Sequence, residues 1–206
     1  YWTPAAGGCV RLDSDASLPA LADMTKFVTI DLATSKRTQA DFTVAAAWGI
    51  TPSGDLLLLD RVKARVEQAG HFELVTPLRQ RWLGPYDVTY VESRMFGTTL
   101  VYAAGRAGLP LAELEADVDK LTRALPAAGL VRQHRVWLPR DADWLDDWLD
   151  EHAEFPNGAH DDQCDVLAYA ARVMLAHWVP MVSAEQEHQF AEMAQSKGID
   201  LMTVQY

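Results

Sequence analysis

The chain has 206 residues and a mass of 22.9 kDa, which suits one medium domain with an extra tail and leaves no room for two large ones. Apolar residues make up 49% and charged residues 23%, so a sizeable core can form, and a disordered or low-complexity chain is disfavoured. The formal net charge of -11 disfavours nucleic acid as a partner until its distribution is read: ten of the 29 acids lie between residues 141 and 165, a stretch without Lys or Arg, leaving 18 basic against 19 acidic residues elsewhere.

Basic groupings at Arg61, Lys63 and Arg65, and at Lys120, Arg123, Arg132, Arg135 and Arg140, could meet a phosphate backbone or simply line a solvated surface. No run approaches the roughly 18 to 20 apolar residues of a membrane span, and no signal-peptide pattern is present, so no membrane partner is expected and a soluble intracellular location is the default. Cys9 and Cys164 have neither disulfide-framework nor zinc-site spacing and are expected as reduced thiols. The start at Tyr1 predicts a fragment of a longer protein.

Residues 1–25 carry Pro4, Gly7, Gly8 and Pro19 among scattered Asp and Ser, the composition of a linker or irregular arm. Three β-rich runs follow at 26–31, 42–50 and 55–62, the last two joined by the turn Thr51-Pro52-Ser53-Gly54, which predicts an antiparallel meander. Apolar residues then recur at helical spacing over 70–83, with Pro77 as a possible kink, before a strand over 86–93. A helix over 97–108 ends on Gly108, and a short strand over 111–116 leads to a helix over 119–131 that Pro126 and Gly129 should limit. One more strand is expected at 135–139. Trp144, Leu145, Trp148 and Leu149 line one face of an amphipathic helix over 141–152, a more buried helix spans 160–178, and a polar tail with some helical character occupies 181–206. The expected fold is an α/β domain over 26–180, with three antiparallel strands followed by parallel strands in one mixed sheet flanked by helices. Neither a phosphate-binding loop nor a dinucleotide fingerprint is present.

Asp31 closes the first strand of the meander, and Glu92 closes the strand at 86–93. If those strands are neighbours, the two carboxylates converge, and HDDQCD at 160–165 can bring a third. Such a group repels itself unless protons or cations intervene, and hard oxygen ligands select Mg²⁺ or Mn²⁺ over zinc. Taken singly, each acid also has an ordinary role: strand end, cap or salt bridge for the first two, and a favourable charge at a helix N-terminus for Asp161 and Asp162.

The succession VTIDLA (28–33), YVESRMFG (90–97), DKLTRALP (119–126), VWLP (136–139) and FPNGAHDDQCDVLAYA (155–170) resembles the nuclease domain of the large terminase subunit of tailed bacteriophages. The resemblance covers roughly residues 26 to 178, and its most specific piece is FP-x-G-x-HDD-x-x-D downstream of a strand ending in VES. It implies a ribonuclease H-like fold, cutting of concatemeric viral double-stranded DNA during genome packaging, and carboxylate-bound divalent metal. It also implies a packaging ATPase domain in the same full-length protein, the small terminase subunit and the portal as partners, and the host cell cytoplasm as location during virus assembly.

Asp31 and Glu92 are thereby implied as metal ligands, with the third from HDD-x-x-D. Asp162 and Asp165 share a helix face while Asp161 is rotated by roughly 100°, so Asp162 ranks first, with Asp161 and Asp165 auxiliary. Asp41 could add a ligand or serve its turn. Lys120 and Arg123 suit phosphate contacts or an exposed helix face, and His160 could assist proton transfer or cap its helix. Two Mg²⁺ or Mn²⁺ ions roughly 4 Å apart would activate water and stabilise the departing 3′ oxygen, with no covalent protein nucleophile. Competing readings are a different ribonuclease H-like nuclease (junction resolvase, transposase core or ribonuclease H) and a catalytically silent module that docks onto portal or capsid proteins. The sugar-kinase and actin group needs two such subdomains, more than this length holds.

Overall fold

The computed structural model describes residues 2–5, 8–11, 20–33, 42–67, 70–92, 98–114 and 119–177. The segment expected as a linker or irregular arm contains two short strands, β1 (Trp2–Ala5) and β2 (Gly8–Arg11), paired antiparallel in a small sheet of their own. A single 3-10 turn at Leu21–Asp23 leads into the main sheet.

The meander forms as expected, from β3 (Thr25–Asp31), β4 (Thr43–Ile50) and β5 (Leu56–Ala64), paired antiparallel in succession. Every residue of β4 is buried, as befits a central strand covered on both faces. Its small residues permit close cover: a Cβ added at Gly49 would lie 2.8 Å from Met24 Sδ. The turn between β4 and β5 is fixed by Thr51, whose Oγ1 accepts the Asp55 N–H at 2.8 Å, and by Gly54, whose φ of 82° suits glycine. A bulge in β5 shifts the register between the Ala47–Asp60 and Trp48–Leu58 pairs.

Helices and parallel strands then alternate: α1 (His71–Trp82), β6 (Thr89–Glu92), α2 (Thr98–Ala107), β7 (Leu111–Leu114), α3 (Lys120–Arg132) and β8 (Val136–Trp137). Two helices close the described chain, α4 (Leu145–Glu154) and α5 (Asp162–His177). The sheet order is β7-β6-β3-β4-β5-β8, with β6 parallel to β3, β7 parallel to β6 and β8 parallel to β5. This is the predicted mixed sheet of antiparallel strands followed by parallel ones.

Alternation along the strands splits the core into two layers. Phe27, Val44, Trp48 and Leu58 face Val166, Tyr169 and Val173 of α5, Leu130 of α3 and Trp148 of α4. Val28, Ile30, Ala45, Leu57 and Val91 face Val75 and Leu78 of α1 on the other side. Each large side chain fully buried in this way contributes about 1.5–3 kcal/mol relative to exposure.

Of two helix boundaries, one matches the sequence expectation and one differs. Helix α3 runs through Pro126 and Gly129 to Arg132, within a residue of the expected 119–131, with Ala127 and Leu130 buried. Helix α4 begins at Leu145 rather than near Asp141, the residues before it forming turns. The predicted tail over 181–206 and Asp41 lie outside the described residues. Among those residues, no helix is long and apolar enough to cross a membrane.

Candidate active site

Asp31 and Glu92 become neighbours through register. Ile30 pairs with Val91 across the parallel β3–β6 ladder, so the next residue on each strand lies one step beyond, at the same sheet edge. Because Ile30 and Val91 both face the α1 layer, alternation turns Asp31 and Glu92 toward α5. Thr29, two residues before Asp31 on that face, docks the helix: its hydroxyl accepts from Trp48 Nε1 at 2.8 Å and donates to the Val166 carbonyl at 2.9 Å. That contact sets the first turn of α5, with Asp162 and Asp165, over the strand ends.

Burial and neighbouring charge both act on these acids. Asp31 is 7% exposed, and its pKa is raised well above the ordinary carboxylate value, first by burial and then by Asp165, Asp162 and Glu92, with Lys120 opposing. Asp162 is pushed up to about 6 by burial, Glu151 and Asp161, against His160 and Lys120. Asp165 acts on Asp31 more strongly than Asp162 does.

Cations from α3 already meet these acids. Lys120 Nζ bridges Asp161 Oδ2 and Asp165 Oδ2, the latter at 2.9 Å. Arg123 Nη2 donates to Asp165 Oδ1 at 2.8 Å, and its Nη1 lies 3.8 Å from Glu92 Oε2. Burial lowers the pKa of both bases, but the facing carboxylates outweigh it and leave both above their ordinary values. The two side chains expected at DNA phosphates are therefore ion-paired inside the acidic cleft.

Sequence reasoning passed over two further groups. Tyr169, 2% exposed and one turn beyond Asp165, donates its hydroxyl to Glu92 Oε2, and the Arg123 guanidinium lies 5.5 Å from its ring centroid. Its pKa is raised by burial, Asp31 and the Glu92 bond. Glu151 of α4, 6% exposed, accepts the Gln163 N–H at 2.6 Å and Gln163 Nε2 at 2.8 Å, anchoring the first turn of α5. Lys63 Nζ lies 2.8 Å from Glu151 Oε2, and both Lys63 and Arg61 pair with Asp147. Part of the basic grouping on β5 thus neutralises the acidic helix. The only available signal was alternating cations on a strand and acids at i, i+4 on a helix.

Phe42 and His160 meet edge to face at 5.2 Å between centroids, with Lys63 and Arg65 over the Phe42 ring. Cys164 is a free, buried thiol pushed up to about 12, first by burial.

The donor chemistry suits a hard divalent cation: five carboxylates (Asp31, Glu92, Asp161, Asp162 and Asp165) share one cleft with two cationic side chains that already stand in as counter-ions. In their present positions, no three His, Cys, Asp or Glu side chains among the described residues are grouped closely enough to hold a metal ion. Asp161, Asp165 and Glu92 are held by Lys120, Arg123 and Tyr169, so holding a metal would require side-chain rearrangement.

The mixed sheet with its flanking helices is a ribonuclease H-like fold, and solved structures similar to it include terminase nuclease domains. No family model matches the chain, and no curated protein matches it in sequence. The structure is similar to the large terminase nuclease of thermophilic phage G20c with bound magnesium: TM-score 0.57, 15% identity, 73% of this chain and 82% of that one. It is similar to the human cytomegalovirus terminase nuclease domain, Mn soaked and inhibitor bound: TM-score 0.53, 12% identity, 75% and 85%. It is also similar to the large terminase of another thermophilic bacteriophage in complex with ADP, at TM-score 0.52 and 12% identity, covering 73% of this chain and 40% of that one.

Proposed function

We propose that this domain is the nuclease of a terminase large subunit, a divalent-metal-dependent endonuclease that cuts concatemeric double-stranded viral DNA during genome packaging. One observation carries the reading: Asp31 and Glu92 stand on adjacent strand ends beneath the acidic first turn of α5, in the fold of terminase nucleases. Asp31, Glu92 and Asp162 would hold metal, with Asp161 and Asp165 auxiliary. Mg²⁺ or Mn²⁺ bound there, as two ions in this reading, would supply charge neutralisation and an activated water for in-line attack on the scissile phosphate.

The rest falls to the chain's own residues. Thr29 and Glu151 fix the start of α5 against the sheet, and Tyr169 orients Glu92. Lys120 and Arg123, paired with the acids in this structure, would contact phosphate only on leaving those partners, and without reading bases, so weak sequence preference follows. With a net charge of -11, the isolated domain binds DNA weakly, and other parts of the packaging machinery would deliver the substrate. The ADP bound to the longer phage terminase supports an ATPase domain in the same polypeptide. The small terminase subunit and portal are further proposed partners, and the host cytoplasm during assembly is the proposed location.

The test is nicking or linearisation of supercoiled plasmid by the purified domain. Cleavage with Mg²⁺ or Mn²⁺ that stops in chelator and is lost in Asp31→Asn supports the reading. Metal-independent cleavage that survives repurification contradicts it, and preferential cutting of an RNA–DNA hybrid reassigns the domain to ribonuclease H chemistry.

A further inference from the structure

The two cations in the acidic cleft are held differently. Arg123 reaches two acids on different elements, Asp165 on α5 and Glu92 on β6, and it lies over the Tyr169 ring with its side chain 13% exposed. A planar guanidinium with several fixed partners is a brace. Lys120 sits at the first position of α3 with its side chain 36% exposed, and both of its partners, Asp161 and Asp165, flank the start of α5. Its ammonium is a point charge on a flexible stem with an open path to solvent.

The oxygens that Lys120 occupies belong to acids assigned above as auxiliary ligands, so a divalent ion and this ammonium compete for the same carboxylates. We propose that Lys120 is a displaceable counter-ion: it neutralises Asp161 and Asp165 in the metal-free domain and leaves them when a divalent cation enters, which frees the ammonium for a phosphate. This inference rests on the nuclease reading and adds an exchange step to it. Lys120 thereby sets metal affinity, holding it below what the bare carboxylates would give and favouring metal uptake together with an anionic substrate that offers the released ammonium a new partner.

Calorimetric titration of Mn²⁺ into wild type, Lys120→Ala, Lys120→Gln and Asp31→Asn, at low and high salt, tests this. Both Lys120 variants are expected to bind Mn²⁺ about fivefold more tightly than wild type, the size expected from removing a partly exposed ion pair. The gain is expected to persist at high salt, where a merely long-range effect of the lost charge would be screened away. Lys120→Gln keeps the stem, so it reports on the charge should Lys120→Ala fail to fold. Equal or weaker Mn²⁺ binding by the Lys120 variants overturns the inference, as does a gain that vanishes at high salt. If Asp31→Asn loses Mn²⁺ in that case, the metal site stands without the exchange. Absence of Mn²⁺ binding in every protein, the Lys120 variants included, overturns both.

Discussion

The Tyr169 hydroxyl donates to Glu92 Oε2, tying the interior of α5 to the end of β6. The bond joins a phenol 2% exposed to a carboxylate oxygen that Arg123 also approaches, at 3.8 Å, so Glu92 is oriented by two partners. Tyr169→Phe keeps the packing and removes one charge-assisted bond, with an expected loss of about 1.5–3 kcal/mol in urea unfolding. Glu92 then has Arg123 as its remaining described partner, and DNA cleavage should fall more than stability alone explains. Unchanged stability and cleavage would remove Tyr169 from the site.

Thr29 is the hinge between sheet and helix. Thr29→Val is nearly isosteric but strands one buried group, Trp48 Nε1, and removes the second bond to the Val166 carbonyl, which keeps its partner within α5. An unsatisfied buried group costs about 1–3 kcal/mol, so a loss in that range is expected, and Thr29→Ser should recover most of it. Urea unfolding of the three proteins checks this.

The raised carboxyl of Asp162 sets the sign of a pH effect. A group whose folded pKa of about 6 exceeds its ordinary value of 3.8 takes up protons on folding, so its ionisation opposes the fold. Its contribution to stability declines as pH rises through that window and is level above it. His71 and His152, held below their ordinary value by burial, pull the opposite way at acid pH in any variant. The expected observation is therefore differential: Asp162→Asn gains stability over wild type as pH rises from about 4 to 7 in metal-free buffer. A constant difference across that range would contradict the placement of Asp162.

The legibility of the sequence divides along physical lines. Strands β3, β4 and β5 were readable from their β-rich runs and the Thr51–Gly54 turn, and the places of Asp31 and Glu92 from the strand ends. The partners of Lys120 and Arg123 were not, since ion pairs form across elements that only the fold brings together, 42 residues apart for Arg123 and Asp165. Tyr169 was hidden for another reason: at helical spacing in an apolar run, it reads as core, and its hydroxyl's partner is 77 residues away. The Lys63–Glu151 pair, 88 residues apart, is of the same kind.

On the proposed reading, the Asp31–Glu92 edge and the first turn of α5 together hold the catalytic metal, and everything else in the mechanism depends on it. Crystals of the domain soaked in Mn²⁺ and measured for anomalous scattering test it most directly. The predicted result is anomalous density between Asp31, Glu92 and the 161–165 segment, absent in Asp31→Asn. In solution, the same ions should stabilise the folded protein by about 1–3 kcal/mol at concentrations some ten to a hundred times the dissociation constant. Density along the acidic face of α4 near Asp146 and Asp150, with none at Asp31 and the same signal in Asp31→Asn, would contradict it.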